Sequence, residues 1–221
     1  MIRVVLFGAS GMVGQGVLRE CLADPDVERI LSVVRAPSGL THPKLSELVH
    51  GDFYNFAPVA AAFGGYHTCF FCLGVSSAGM SEAEYRHVTY DLTLGAAQVL
   101  VRENPAMTFI YISGAGTDAH KKTMWARVKG ATEIALMQLP FKGAYMFRPG
   151  YIQPRHGIKS KTKWTRIMYA AVGWGYPLWK AMFKHSITTT EDLARAMLVV
   201  AKHGAPRQLL ETRDISSFAM R

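Results

Sequence analysis

Three glycines near the start of the chain have a spacing that suits phosphate binding. Gly8, Gly11 and Gly14 follow the apolar run 4–7 and precede a helical pattern of apolar residues. Gly8 allows a sharp turn off a strand, Gly11 lets the backbone approach a pyrophosphate, and Gly14 lets the helix pack closely. The N–H groups of the first helical turn would face the anion. We therefore predict a dinucleotide-binding loop with these residues at the cofactor: Gly8, Ser10, Gly11, Met12, Val13 and Gly14.

Arg35 ends the second predicted strand, 29–34, at the position that usually selects the cofactor. An acid there would accept hydrogen bonds from the ribose of NAD, whereas an arginine pairs with the 2′-phosphate of NADP. The sequence therefore favours NADP, the alternative being a solvated arginine. Asp52 follows a weaker strand, 45–50, and is either a residue near the adenine or a turn residue.

The chain alternates strand and helix patterns over most of its 221 residues. We predict a doubly wound α/β fold (a Rossmann fold), a single domain with a mostly parallel sheet of about seven strands and helices on both faces. Ligands of such sheets lie at the carboxyl ends of the strands, so Leu73 and Gly74, after the fourth strand, should border the nicotinamide half. Ser81 and Glu84 form a capping box at the start of a long helix, and Thr190 is predicted to cap the helix 191–203.

Composition limits the class of protein. Apolar residues make up 49% and charged residues 19%, which is typical of a globular chain. No secretory leader and no membrane-spanning run are evident, and three cysteines are not a disulfide framework, so a cytoplasmic protein is expected. Cys69 and Cys72 lie three apart in a predicted strand, which directs them to opposite faces, and the histidines lack ligand spacing. No metal site is predicted.

The last third of the chain is strongly basic. Residues 134–190 contain no Asp or Glu but nine Lys or Arg, a number equal to the net charge of +9. We interpret residues 151–190 as a small helical lobe, rich in basic and aromatic residues, over a substrate cleft. The alternatives are a cleft for an anionic or lipid-like substrate and a face that rests on an anionic membrane. Nucleic acid is disfavoured because no recognition motif accompanies the charge.

Five motifs resemble those of the atypical short-chain dehydrogenase/reductase superfamily, in its single-domain, epimerase-like branch that includes the Tat-interacting reductase-like proteins. They are residues 8–14, 72–74, 111–116, 128–130 and 147–151. The resemblance implies that Ser113 orients the substrate carbonyl. It also implies that Lys129 holds the nicotinamide ribose and favours ionisation of a catalytic tyrosine four residues earlier. That position is Trp125 here.

The tryptophan changes the expected chemistry. Carbonyl reduction by hydride needs a proton for the developing alkoxide, and tryptophan does not titrate in the accessible range. Tyr151 is the first candidate for a substitute donor, the alternative being an aromatic residue packed under the lobe. Two functions follow. The chain is an NADP-dependent oxidoreductase or epimerase-like enzyme acting on a small carbonyl compound, or a non-catalytic NADP-binding redox sensor or partner-binding module.

Overall fold

A seven-stranded parallel sheet forms the centre of the part of the chain that the structure describes. The structure is a computed structural model and describes residues 1–157 and 187–220. The nine strands of this part are β1 (Ile2–Phe7), β2 (Val27–Val34), β3 (Leu45–Val49), β4 (Thr68–Phe71), β5 (Thr108–Ile112), β6 (Gly143–Arg148), β7 (Tyr151–Gln153), β8 (Ile187–Thr189) and β9 (Leu209–Glu211). The large sheet has the order β3-β2-β1-β4-β5-β6-β9, with all neighbours parallel. The predicted doubly wound fold is confirmed.

Helices cover both faces of this sheet. They are α1 (Met12–Ala23), a 3-10 helix (Ala57–Phe63), α2 (Glu82–Arg86), a π-helical turn (His87–Asp91), α3 (Leu92–Glu103), α4 (Met124–Met137), α5 (Thr190–His203) and α6 (Thr212–Ala219). Side chains of α1, α5 and α6 pack on one face with Val4 and Leu6 of β1. Those of α3 and α4 pack on the other face with Val5 and Phe7. A strand buried on both sides explains the unbroken apolar run in β1.

Cys69 and Cys72 lie on opposite sides of the sheet, as predicted. Cys69 belongs to the core on the α3 and α4 side, whereas Cys72 packs against the core on the α1 and α5 side. Burial raises the pKa of both thiols. The two cysteines are therefore packing residues.

The long helix after residue 80 departs from the prediction in one respect. The capping box is present, since Ser81 N–H donates to Glu84 Oε2 (2.8 Å) and Glu84 N–H donates to Ser81 Oγ (3.3 Å). The helix is not regular, because the π-helical turn separates α2 from α3. Thr93 Oγ1 donates to the carbonyl of Thr89 within this region (2.5 Å).

The start of α5 is one residue earlier than predicted, and the prediction of Thr190 as its cap is wrong. Thr189 is the cap, because its Oγ1 accepts a hydrogen bond from Asp192 N–H (3.0 Å). The Thr190 hydroxyl instead accepts from Arg155 N–H (3.1 Å). Thr189 also ends β8, which pairs in parallel with β7 in a two-stranded sheet that the sequence did not indicate.

Most of the predicted basic lobe, residues 158–186, lies outside the described residues. Its limits at 151 and 190 fall on β7 and on the first residue of α5. No helix among the described residues is long and apolar enough to cross a membrane.

Candidate functional site

The loop between β1 and α1 requires glycine at two positions. Gly8 has a φ of +82°, and a Cβ there would lie 2.8 Å from the carbonyl carbon of Cys72 and 2.9 Å from the nitrogen of Leu73. A Cβ at Gly14 would lie 2.0 Å from the Gly8 oxygen. The same oxygen accepts a hydrogen bond from Gly11 N–H (2.9 Å). The loop is therefore folded tightly on itself and lies beside Leu73.

The N-terminus of α1 has features that suit an anion. Its cap residue, Gly11, makes no side-chain capping bond, and the first turn contains no acidic residue. Gln15 Nε2 donates to the carbonyl of Ser10 (3.0 Å), which fixes the loop without covering the helix end. The partial positive charge of a helix N-terminus then faces the loop. Residues 8–14 fit the pyrophosphate of a dinucleotide.

The two predicted adenosine-side residues differ in their surroundings. Arg35 is exposed just beyond β2, and its side chain makes no hydrogen bond or ion pair within residues 1–157 and 187–220. Asp52 is also exposed, but its Oδ1 accepts a hydrogen bond from Tyr54 N–H (2.9 Å) and its carbonyl accepts from Asn55 N–H (3.3 Å). These bonds favour the turn interpretation of Asp52.

Ser113 lies directly after β5 and is buried, with 6% of its surface exposed. Its hydroxyl is 2.5 Å from Glu133 Oε1 and 3.0 Å from Thr117 Oγ1, and it accepts a hydrogen bond from Gly114 N–H (2.6 Å). A hydroxyl has one proton to donate, and the carboxylate is the stronger acceptor. The proton is therefore directed to Glu133, which leaves none for a substrate carbonyl in this arrangement.

Lys129 reaches the same end of β5 from α4. Its Nζ donates to the carbonyl of Ser113 (2.7 Å) and lies 3.5 Å from the carbonyl of Ile112. Burial lowers the pKa of Lys129 to about 8, and the Glu133 carboxylate partly opposes this effect. The structure thus brings Ser113 and Lys129 together, as the resemblance implies.

Glu133 and Arg148 are functional candidates that the sequence analysis missed. Glu133 is buried on α4 and forms a two-point ion pair with Arg148 at the end of β6, through Nε (3.0 Å) and Nη2 (2.5 Å). Arg148 also contacts Glu211 Oε1 (3.1 Å). These ion pairs raise the pKa of Arg148. The four-residue spacing of Lys129 and Glu133 was the sequence feature that could have identified Glu133, because it puts both residues on one helix face.

The structure also shows where Trp125, at the expected position of the catalytic tyrosine, and Tyr151, the candidate substitute, are located. The Trp125 ring is 4.0 Å from where a Cβ would stand on Gly114 or Gly116, so it lies over the loop after β5. Tyr151 is the first residue of β7 and is half-buried. Gly130 allows α4 to approach this loop, because a Cβ there would lie 2.2 Å from the nitrogen of Ala119.

Among the described residues, no three His, Cys, Asp or Glu side chains are grouped to hold a metal ion.

Comparison with solved structures supports the fold. WbmF from Bordetella bronchiseptica, in complex with NAD+, superimposes with a TM-score of 0.69 at 15% identity, over 98% of this chain and 76% of that one. The short-chain dehydrogenase/reductase YIR035C from Saccharomyces cerevisiae has a TM-score of 0.69 at 14% identity, over 99% of both chains.

Comparison with curated sequences supplies closer relatives, although no family model matches. "Protein fmp52, mitochondrial" from Emericella nidulans is 30% identical over 159 residues, which cover 69% of this chain and 67% of that protein. "Protein fmp52-2, mitochondrial" from Neosartorya fischeri is 26% identical over 72% of this chain and 71% of its own. The protein HTATIP2 from Rattus norvegicus is 26% identical over 67% of this chain and 62% of its own.

These names contradict the prediction of a cytoplasmic protein, because the fmp52 relatives are named as mitochondrial. The prediction rested on the lack of a secretory leader and of a membrane-spanning run, with the cysteine count in agreement, and none of these features distinguishes the cytoplasm from a mitochondrial compartment. The similarity to the Emericella protein and the five motifs of the sequence analysis lead to one family assignment. The chain belongs to the Fmp52 family, within the atypical short-chain dehydrogenase/reductase superfamily.

Proposed function

We propose that the chain is an NADP-binding oxidoreductase or epimerase-like enzyme that acts on a small carbonyl compound. The observation that carries this proposal is the N-terminus of α1, which has no side-chain cap and lies at the carboxyl ends of the strands. Lys129 reaches the same end of the sheet from α4. Membership of the superfamily supports a nicotinamide dinucleotide as the cofactor, and the similar WbmF was solved with NAD+. The names of the fmp52 relatives favour a mitochondrial location.

In this proposal each part of the cofactor has a partner in the chain. Residues 8–14 bind the pyrophosphate, and Arg35 pairs with the 2′-phosphate that distinguishes NADP from NAD. Leu73 and Gly74 border the nicotinamide half. Lys129 uses an N–H that is not committed to a backbone carbonyl to bind the nicotinamide ribose. Asp52 has no role here, because its side chain already stabilises a turn.

The reaction also needs a proton donor. The nicotinamide supplies or accepts a hydride when it is bound. Trp125 cannot exchange a proton, and the Ser113 hydroxyl is directed to Glu133. The phenol of Tyr151, at the start of β7 and three residues beyond Arg148, is our proposed donor to the substrate oxygen. The positive charge of residues 142–184 favours an anionic carbonyl compound.

A second function, an NADP-binding sensor or partner-binding module without turnover, is favoured by a specific observation. Both groups that would act on a carbonyl are altered, since Ser113 donates into the protein and Trp125 replaces the phenol. Such a chain would bind the cofactor as tightly as an enzyme does, and the cofactor's oxidation state would change its surface.

The two functions are separated by measuring binding and turnover on the same protein. Titration calorimetry with NADPH and NADH should show binding, with NADPH preferred. NADPH oxidation with a panel of aldehydes, ketones and quinones should show slow turnover that Tyr151→Phe abolishes. Tight binding without turnover on any compound supports the sensor. Absence of binding to both cofactors contradicts both functions.

A further inference from the structure

Glu133 lies one helical turn after Lys129 on α4, so the two side chains share a face. Only 1% of the Glu133 surface is exposed. A buried carboxylate is costly unless its oxygens are paired and hydrogen-bonded. Glu133 meets this condition with partners from two strand ends.

The partners of Glu133 use both of its oxygens. Oε1 accepts from the hydroxyl of Ser113 (2.5 Å) and from Nε of Arg148 (3.0 Å), and Oε2 accepts from Nη2 of Arg148 (2.5 Å). Arg148 is shared with Glu211, which is about half exposed. The charges alternate from Lys129 through Glu133 and Arg148 to Glu211, so the cluster has no net charge.

Lys129 depends on this cluster for its charge. Burial disfavours the ammonium form, and the Glu133 carboxylate is the group on α4 that favours it. The other titratable side chain near Nζ, Tyr111 on β5, has its ring 5.9 Å away and is neutral because burial raises its pKa. Arg148 on β6 pairs with the Glu133 carboxylate. Within residues 1–157 and 187–220, a single carboxylate therefore opposes the effect of burial.

We propose that Glu133, held in place by Arg148, is a positioning residue that keeps Lys129 positively charged and keeps the Ser113 hydroxyl turned into the protein. The consequence for the cofactor rests on the proposed function, in which the Lys129 ammonium binds the nicotinamide ribose. Loss of the Glu133 charge lowers the pKa of Lys129 further, so a smaller fraction of the amine is protonated near neutral pH and that contact is weaker.

The test is a titration of Lys129 in the protein without cofactor. Chains with 13C-labelled lysine are followed by NMR against pH, and the Lys129 signal is identified by its loss in Lys129→Arg. Glu133→Gln should lower the midpoint of the Lys129 titration by about one pH unit or more, because an opposite charge has been removed. Glu133→Asp, which keeps the charge, should restore a midpoint near that of the wild type.

The matched control is Glu82→Gln. Glu82 forms a two-point ion pair with Arg127 of α4, but it does not face Lys129. Its removal should leave the Lys129 midpoint unchanged. An unchanged midpoint in Glu133→Gln, or an equal fall in the control, overturns the proposal. If Glu133→Gln does not fold, the double variant Glu133→Gln with Arg148→Met removes both charges of the pair. A smaller fall in the same direction is then expected, because the positive charge of Arg148, which disfavours the Lys129 ammonium, is lost as well.

A second readout connects the charge to the cofactor. NADPH affinity in Glu133→Gln should be about tenfold weaker than in the wild type near neutral pH, since one charge-assisted hydrogen bond is lost. The difference should shrink in mildly acidic buffer, where Lys129 is protonated in both proteins. If the wild type binds no NADPH, the proposed function fails, while the Lys129 midpoints still decide the role of Glu133.

Discussion

The glycine loop, residues 8–14, and the charged cluster of Ser113, Lys129, Glu133 and Arg148 both lie at the carboxyl ends of the strands but are built in opposite ways. The loop consists of backbone, and the helix end beside it has no side-chain cap. The cluster consists of side chains from the end of β5, from α4 and from β6. The Ser113 hydroxyl and Arg148 bind the Glu133 carboxylate, and Lys129 binds the Ser113 carbonyl. The loop leaves donors for a ligand, whereas the cluster uses most of its donors internally.

This difference separates binding from chemistry within one site. A backbone loop holds an anion through N–H groups that remain in place whatever side chains surround it. A reaction needs a side chain with a proton to give, and here the Ser113 hydroxyl is directed to Glu133 while residue 125 is a tryptophan. Variants of each region should therefore have different effects, and four experiments test this.

The largest effect is expected in the charged cluster. Arg148→Met leaves the Glu133 carboxylate buried without its main partner. The free energy of unfolding should fall by about 3 kcal/mol, the lower end for a broken buried ion pair, because the Arg148 side chain is 16% exposed and that of Glu133 is 2% exposed.

Chemical denaturation measures this loss. Arg127→Met is the control, because Arg127 makes a similar two-point pair with Glu82 on the surface. It should lose much less stability. Equal losses in the two variants would show that burial of the Arg148 pair does not stabilise the fold.

A smaller loss of stability is expected in the glycine loop. Gly14→Ala places a Cβ 2.0 Å from the Gly8 oxygen, so the loop or α1 must move. The cost should be about 2 kcal/mol, as for an overpacked core. NADPH binding, measured by calorimetry, should be lost. Gly51→Ala, at a glycine with open space around it, should change neither property. Retained NADPH binding in Gly14→Ala would mean that the cofactor does not use this loop.

Arg35 tests which cofactor the loop region selects. Arg35→Ala should weaken NADPH binding roughly 10- to 100-fold, since charge-assisted hydrogen bonds contribute about 1.5–3 kcal/mol each. NADH binding should be nearly unchanged, because NADH has no 2′-phosphate. Arg29→Ala, at an exposed arginine of β2, is the control for general charge. A wild type that prefers NADH would refute the assignment of NADP.

The smallest effect is expected from restoring the phenol. Trp125→Tyr puts a proton donor one helical turn before Lys129. NADPH oxidation should become about tenfold faster, less than the hundredfold or more that a positioned acid can bring, because the Ser113 proton stays with Glu133. Trp125→Phe should give no gain, and adding Lys129→Ala to Trp125→Tyr should remove it. Fast turnover in the wild type would show that another acid already acts.

Sequence reasoning succeeded where the relevant interactions are local. Three local features were predicted and are present in the structure: the glycine loop, the strands and helices, and the Ser81 capping box. Each depends on residues that are close together in the sequence. The resemblance to a family gave Ser113 and Lys129, which do lie together. Sequence reasoning failed on the Thr190 cap, because the Thr190 hydroxyl accepts a hydrogen bond from Arg155 N–H, which lies 35 residues away in the chain.

The sequence by itself therefore determined the parallel sheet and the tight glycine loop of residues 8–14. Only the tertiary structure decided where the Ser113 proton goes and what holds Lys129. Those outcomes depend on Glu133 and Arg148, which are 15 residues apart in the chain and meet because α4 packs beside the end of β6. A hydroxyl has one proton to donate, and the distances to the surrounding acceptors decide which of them receives it. Those acceptors lie far apart in the sequence, so no short stretch of it contains the information.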